Sequence, residues 1–304
     1  MRMIPNRAVG LAVLALGLCS FNTVSAQEKA APMASPLRPT AADCKACHPR
    51  NYQEWEQSFH AKSVVAIHAG FKKYITTEEQ AKGRPLNRNE ILGCIGCHAP
   101  AMRFASDDDF TRLVQLVKTD QREALAGLSV DCVACHALVG SGHPETKPPE
   151  GMDQQVYYGT IRNPVQTAHK SQYAPQMEKS DFCKSCHTYV TPPDLKLTAD
   201  WDIICTLTFD SWAAGPHGPT APQADRKECQ NCHMEKKDGM AAEGTGVQAP
   251  RRSVSSHAFP GWHDAGALAR AAALTVATRP GTRSGALDLV VTIENKAGHR
   301  FPDT

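Results

Sequence analysis

Read as a pattern of apolar and polar positions, the chain holds only a few regular stretches. Ala8 to Leu18 is almost wholly apolar and follows Arg2 and Arg7, with no acid in the first 26 residues. That run is too short to cross a membrane, and no later segment has spanning length. Val24-Ser25-Ala26 supplies small residues at the two cleavage positions, so residues 1–26 read as an export signal cleaved after Ala26. Residues 27–41, rich in Ala and Pro without periodicity, read as a flexible leader. Tyr52, Trp55 and Phe59 follow at i, i+3 and i+7, which predicts a helix with one aromatic face. Ser106, Asp107, Asp108 and Asp109 open a second helix as a solvated start. Its Phe110, Leu113, Val114 and Val117 share a buried face, and Gly127 is expected to end it. The period then changes: Leu274 to Thr278 and Leu287 to Glu294 cluster β-branched residues around a Pro-Gly turn, which predicts two strands.

Composition makes a conventional interior look thin. Aromatic residues are 6% of the 304, and there are 21 glycines and 21 prolines. The 12 cysteines change that picture. Ten of them fall in five copies of one pattern: Cys44-Lys45-Ala46-Cys47-His48, then Cys94, Cys97 and His98, Cys132, Cys135 and His136, Cys183, Cys186 and His187, and Cys229, Cys232 and His233. Two thiols at this spacing add across the two vinyl groups of one haem, and the adjoining histidine presents its imidazole to the iron. Zinc or a disulfide framework also uses C-x-x-C, but neither demands a histidine directly after the second cysteine every time. The pattern therefore predicts five covalently bound haem c groups. Their apolar surface would replace the missing core, leaving the apoprotein largely disordered.

Charge excludes some partners. Without the signal the chain carries 31 basic and 31 acidic residues. Each oxidised haem with two ionised propionates adds about one negative charge, giving a holoprotein near −5, which argues against nucleic acid as a partner. Export and thioether attachment both point to the periplasm or the cell exterior. A lipid anchor at Cys19 is disfavoured by Leu18 before it. Cys205, the one cysteine of the mature chain outside a socket, is flanked by Ile203, Ile204 and Leu207. It reads as a small buried hydrophobe, with a reactive thiol as the sharper alternative.

The run Cys44-x-x-Cys-His-x3-Tyr52-x2-Trp55-x2-Ser58-x-His60-Ala61 resembles the opening of multihaem c-type cytochromes related to the cytochrome c-554 group. That resemblance implies a distal-ligand role for His60, which the surplus of histidines over open iron positions also favours. His169, in Thr167-Ala168-His169-Lys170, matches the same pattern. Ser256-His257-Ala258-Phe259-Pro260-Gly261-Trp262 and Ala297-Gly298-His299-Arg300-Phe301-Pro302 resemble later segments of these cytochromes, implying that His257 and His299 reach back to irons. Trp212-x4-His217 repeats the spacing of Trp55-x4-His60 and makes His217 a fair candidate. His143, in a Gly/Pro-rich loop, together with His263 and His68, remains available for the fifth iron, although His263 could instead bond Asp264. The resemblance further implies that residues 266–304 begin a small β-sandwich that stops at Thr304, so the expectation is either a truncated C-terminal β-domain or an open edge that another chain completes by strand addition.

The expected architecture is mainly α with extensive coil wrapped around covalent haems, and a short β-strand region at the C-terminus. A pentahaem cytochrome domain would span residues 42–265, and residues 266–304 would be a partial β-sandwich contributing a distal ligand. Bis-histidine haems leave no vacant site and exchange electrons with little rearrangement. The leading expectation is an electron relay between a quinol-linked donor and a terminal or extracellular acceptor. Two alternatives stand beside it. One is a reductase or dehydrogenase of a nitrogen or sulfur compound with one open haem, and the other a filament subunit joined through the C-terminal β-edge.

Overall fold

The computed structural model describes residues 29–139, 156–165, 168–190, 204–244, 246–283 and 285–301. The export signal, His143 and the Cys205 side chain lie outside the described residues.

The first part is helical: α1 (Ala41–Cys44), α2 (Pro49–Gln57), α3 (Ser63–Lys82), α4 (Arg88–His98) and α5 (Asp107–Lys118). Sequence-local chemistry sets the helix ends. Helix α3 stops at Gly83, whose φ of 62° is left-handed and open to glycine without steric cost. Asn87 caps α4, accepting the Glu90 amide at 3.0 Å, while the Glu90 carboxylate accepts the Asn87 amide at 2.7 Å. Ser106 and Asp109 form the same reciprocal cap on α5, so the acidic triplet is indeed a helix start.

Two sequence expectations are corrected here. Helix α5 ends at Lys118, where Asp120 turns left-handed at φ 57°, and a 3-10 turn over Arg122–Leu125 intervenes before Gly127. Gly127 is therefore not its terminator. Phe59 is not on α2: Ser58 leaves the helix in an extended conformation, and its hydroxyl donates to the Trp55 carbonyl at 2.7 Å.

Helices α3, α4 and α5 enclose one apolar cluster containing Val64, Phe71, Ile75, Ile95, Met102, Leu113, Val117 and Leu125. A conventional core is present after all, in this half of the molecule. Helical spacing concentrates aliphatic residues on three facing stripes despite the low aromatic content. The expected flexible leader is also corrected over residues 29–41. Met33 and Leu37 are buried, the Met33 amide donates to the Ala124 carbonyl at 2.7 Å, and Arg112 donates to the Ala31 carbonyl.

Beyond residue 156 regular structure is short. Strands β1 (Val156–Gly159) and β2 (Lys170–Tyr173) pair in parallel. Antiparallel pairs are β3 (Tyr189–Val190) with β4 (Ile204–Thr206), β5 (Lys236–Met240) with β8 (Arg251–Ser255), and β6 (Glu243–Gly244) with β7 (Val247–Gln248). Helices α6 (Asp181–His187), α7 (Thr208–Ala213), α8 (Cys229–His233) and α9 (Ala265–Ala271) lie among them. The two predicted C-terminal strands form one hairpin, β9 (Ala272–Pro280) with β10 (Leu287–Asn295). One of its faces carries Leu274, Val276, Leu289, Val291 and Ile293, all exposed. Among the described residues no helix is long and apolar enough to cross a membrane.

Candidate metal and cofactor site

Four of the five socket histidines fall on a turn of helix that also positions their thiols, and the first lies at a helix start. His98, His187 and His233 are the last residues of α4, α6 and α8. His48 caps α2 directly after the first socket, and His136 lies in a wide turn over Ala134–Val139. All ten socket cysteines are free thiols, available for thioether formation.

Backbone carbonyls fix the tautomer of three of these rings. Nδ1 of His48 donates to Ala241 at 2.7 Å, that of His136 to Tyr158 at 2.6 Å and that of His233 to Pro260 at 2.7 Å. A carbonyl can only accept, so Nδ1 holds the proton and Nε2 keeps its lone pair for a metal. Burial, the largest cause in each case, holds the pKa of His48, His98, His136 and His233 below the usual value. His60 is pushed down to about 4 by burial and then by the nearby His187. His257 goes down to about 3, by burial and then by His136. Burial thus favours the neutral form of all six rings, the state that ligation requires.

The packing brings these rings together in pairs. His48 faces His169 with ring centres 6.2 Å apart, His60 faces His187 at 6.2 Å, His136 faces His257 at 6.1 Å, and His233 faces His299 at 6.3 Å. Two imidazoles bound end-on to opposite sides of one metal have centres about 6 Å apart, from two bonds of about 2 Å and two nitrogen-to-centre distances of roughly 1.1 Å. Four pairs agreeing this closely, drawn from histidines far apart in sequence, fit an iron between each pair. Among the described residues no three or more His, Cys, Asp or Glu side chains converge as a metal cluster, which is the arrangement a zinc site would need.

The remaining predicted histidines behave differently. His98 is half-buried, and among the described residues no histidine ring faces it. His68 points into the helical core with its Nε2 unpartnered, within electrostatic reach of Arg122 and Asp120 rather than of a socket. His263 packs on Phe59 at 4.6 Å. His217 donates from Nδ1 to Asp225 at 2.7 Å, as the socket histidines do to their own carbonyls, but stands against Gly298 with no socket ring opposite among the described residues.

Thiol contacts show which sockets adjoin. The Cys44 thiol lies within hydrogen-bonding reach of Cys132, Cys183 of Cys229, and Cys186 of Cys97, while Cys135 lies within electrostatic reach of Cys186. The fourth socket thus adjoins the second, third and fifth, and the first adjoins the third. Close backbone approach seals the first socket. A Cβ on Gly244 would meet the Ala46 carbonyl oxygen at 2.0 Å, so only glycine lets β6 cross there, with the Glu243 amide donating to the Cys47 carbonyl.

Two supporting residues escaped the sequence reading. Glu54, on α2, accepts from the Ser256 hydroxyl at 3.1 Å and from the His257 amide at 2.6 Å, anchoring the segment that carries His257. Arg50 lies two residues past His48 and has buried guanidinium nitrogens without partners. No spacing rule marks either; only the position of Glu54 on the polar side of an aromatic helix was visible.

Residues 43–137 match the family model described as cytochrome c554 and c-prime. A solved structure, the penta-heme cytochrome c552 from Thermochromatium tepidum, is similar over 88% of this chain and 68% of that chain, with TM-score 0.51 and 22% identity. No curated protein matches.

Proposed function

We propose that the chain, whose residues 43–137 match the cytochrome c554 and c-prime family model and whose fold is similar to that of a penta-heme cytochrome c552, is a multihaem c-type cytochrome, a periplasmic or extracellular pentahaem protein relaying electrons through bis-histidine haems. Haem c supplies one-electron exchange between ferric and ferrous iron. The observation that carries the reading is the set of four imidazole pairs at 6.1 to 6.3 Å. In it His48, His136, His187 and His233 are proximal ligands, and His169, His257, His60 and His299 are their distal partners.

The protein's own residues do three things. Carbonyl-anchored Nδ1 atoms orient the rings and raise their basicity. The thiol contacts set the sockets in a branched series, first to third to fourth, then to second and fifth. Cys232, the one exposed socket cysteine among those described, makes the fifth socket the place where a redox partner approaches. Those partners are a quinol-linked donor and a terminal or extracellular acceptor, and the exposed apolar hairpin at the C-terminal edge supports self-association.

His98 favours keeping a second reading. Its ring has no facing histidine among the described residues, so the second socket is where His143 closes a sixth site or where a nitrogen or sulfur compound is reduced at an open iron. Electron paramagnetic resonance of the oxidised protein tests both. The relay predicts low-spin iron throughout, and His60→Ala or His299→Ala then converts one haem to high spin. A high-spin iron in the unaltered protein, with turnover of hydroxylamine, nitrite or tetrathionate, selects the enzyme instead.

A further inference from the structure

Arg50, on helix α2, turns part of its guanidinium into the protein interior. Its Nε and Nη2 atoms are both buried and have no hydrogen-bond partner. These two nitrogens form one side of the guanidinium fork, the side that receives both oxygens of a carboxylate in parallel. An ionised guanidinium with that edge buried and empty is costly, and the cost disappears when an anion fills it.

The surroundings hold the fork in place. Strand β5 passes over it at Gly239, where a Cβ would lie 2.2 Å from Nη1 and 3.4 Å from a methyl of Val254 on β8. Glycine at this one position of the β5–β8 ribbon leaves room for the planar group. Arg50 lies two residues beyond His48, and β8, which runs past it at Val254, leads into His257, whose amide is held by Glu54 of the same helix as Arg50. Its empty edge therefore sits where the first and third sockets adjoin. No carboxylate of the described chain reaches it: Glu54, one helical turn on, is engaged with Ser256 and His257.

We propose that Arg50 is a bidentate carboxylate-binding site at the junction of the first and third sockets. This rests on the haem-relay reading for its preferred occupant, a haem propionate, and the same fork would take a small free carboxylate. A cation fixed beside a redox centre stabilises its reduced form, so with a propionate in the fork Arg50 also raises the potential of that haem.

The test uses the holoprotein and three variants, Arg50→Gln, Arg50→Lys and Gly239→Ala. Protein mass is checked first, so that every sample compared carries the same number of haems. With a propionate in the fork, spectroelectrochemical titration shows one haem at lower midpoint potential in Arg50→Gln. Arg50→Lys, which keeps the charge but loses the fork, recovers part of the shift. Gly239→Ala, which displaces the guanidinium while keeping its charge, shifts the same haem in the same direction. With a free carboxylate as occupant, calorimetry detects acetate binding to the unaltered protein but not to Arg50→Gln, and the potentials stay put. Unchanged potentials together with no Arg50-dependent acetate binding overturn the proposal. A protein mass without haem would end the relay reading, and the acetate measurement would then decide on Arg50 alone.

Discussion

The helices from Ser63 to Lys118 and the chain from Val156 to Phe301 solve the folding problem in different ways. In the first region side chains bury one another. Ile75, Ile95, Leu113 and Val117 are at most 0% exposed, and the charged groups that enter are paired, as Glu78 and Glu90 are with Lys82. In the second, Ala174, Met177, Ala221 and Val254 are the buried apolar residues among those described, yet that region contributes a ring to every one of the four imidazole pairs. The lesson is that one chain combines a core of mutually buried aliphatic side chains with a shell in which paired imidazoles, rather than aliphatic burial, are the recurring contact.

The largest expected effect comes from removing the haems. Replacing the socket cysteines by alanine should leave amide-exchange protection in α3, α4 and α5 and abolish it beyond residue 156. Loss of protection in both regions alike would erase the distinction. Next in size is the core itself. Leu113→Ala should cost about 2–5 kcal/mol in a denaturant titration through the cavity it leaves, with spectra that keep every haem in its original spin state. A changed spin state would mean that the two regions are not independent.

Acidification should separate them more gently. Arg84, then Lys82 and the Asn87 amide, hold the Glu90 carboxyl down to about 2, below its ordinary value of 4.5. A depressed folded-state pKa adds stability that is present above pH 4.5 and is lost as pH falls toward 2. Glu90→Gln should therefore flatten the acid limb of helical unfolding measured by circular dichroism. An unaltered limb would show that Glu90 is not its source. The smallest effect belongs to the surface pair Arg279–Asp288 on the hairpin, where Asp288→Asn should change stability by at most about 1 kcal/mol. A larger loss would reveal a partner on that face.

What could be seen in the sequence differed between the two regions for physical reasons. Covalent attachment needs contiguous residues, so all five sockets were visible, and His60, His169, His257 and His299 were singled out through resemblance to known cytochromes. The structure sets each of those four opposite a socket histidine. The β9–β10 hairpin was legible because its β-branched residues cluster on both sides of a Pro-Gly turn. Helix α3 was missed although it is the longest described, because its buried stripe of Val64, Phe71, Tyr74 and Ile75 is interrupted by the equally buried His68 and Glu78. The seating of residues 29–41 was also hidden, since Met33 and Leu37 pack singly and leave no period. Arg50 and Glu54 matter through contacts with residues far along the chain, to which local pattern is blind.

The central claim is that the facing imidazoles straddle iron. Anomalous scattering from crystals at the iron absorption edge tests it most directly. The account predicts five iron peaks per chain, four of them midway between His48 and His169, His60 and His187, His136 and His257, and His233 and His299, with the fifth beside His98. Iron absent from those four midpoints, or bound on one side only, would contradict it.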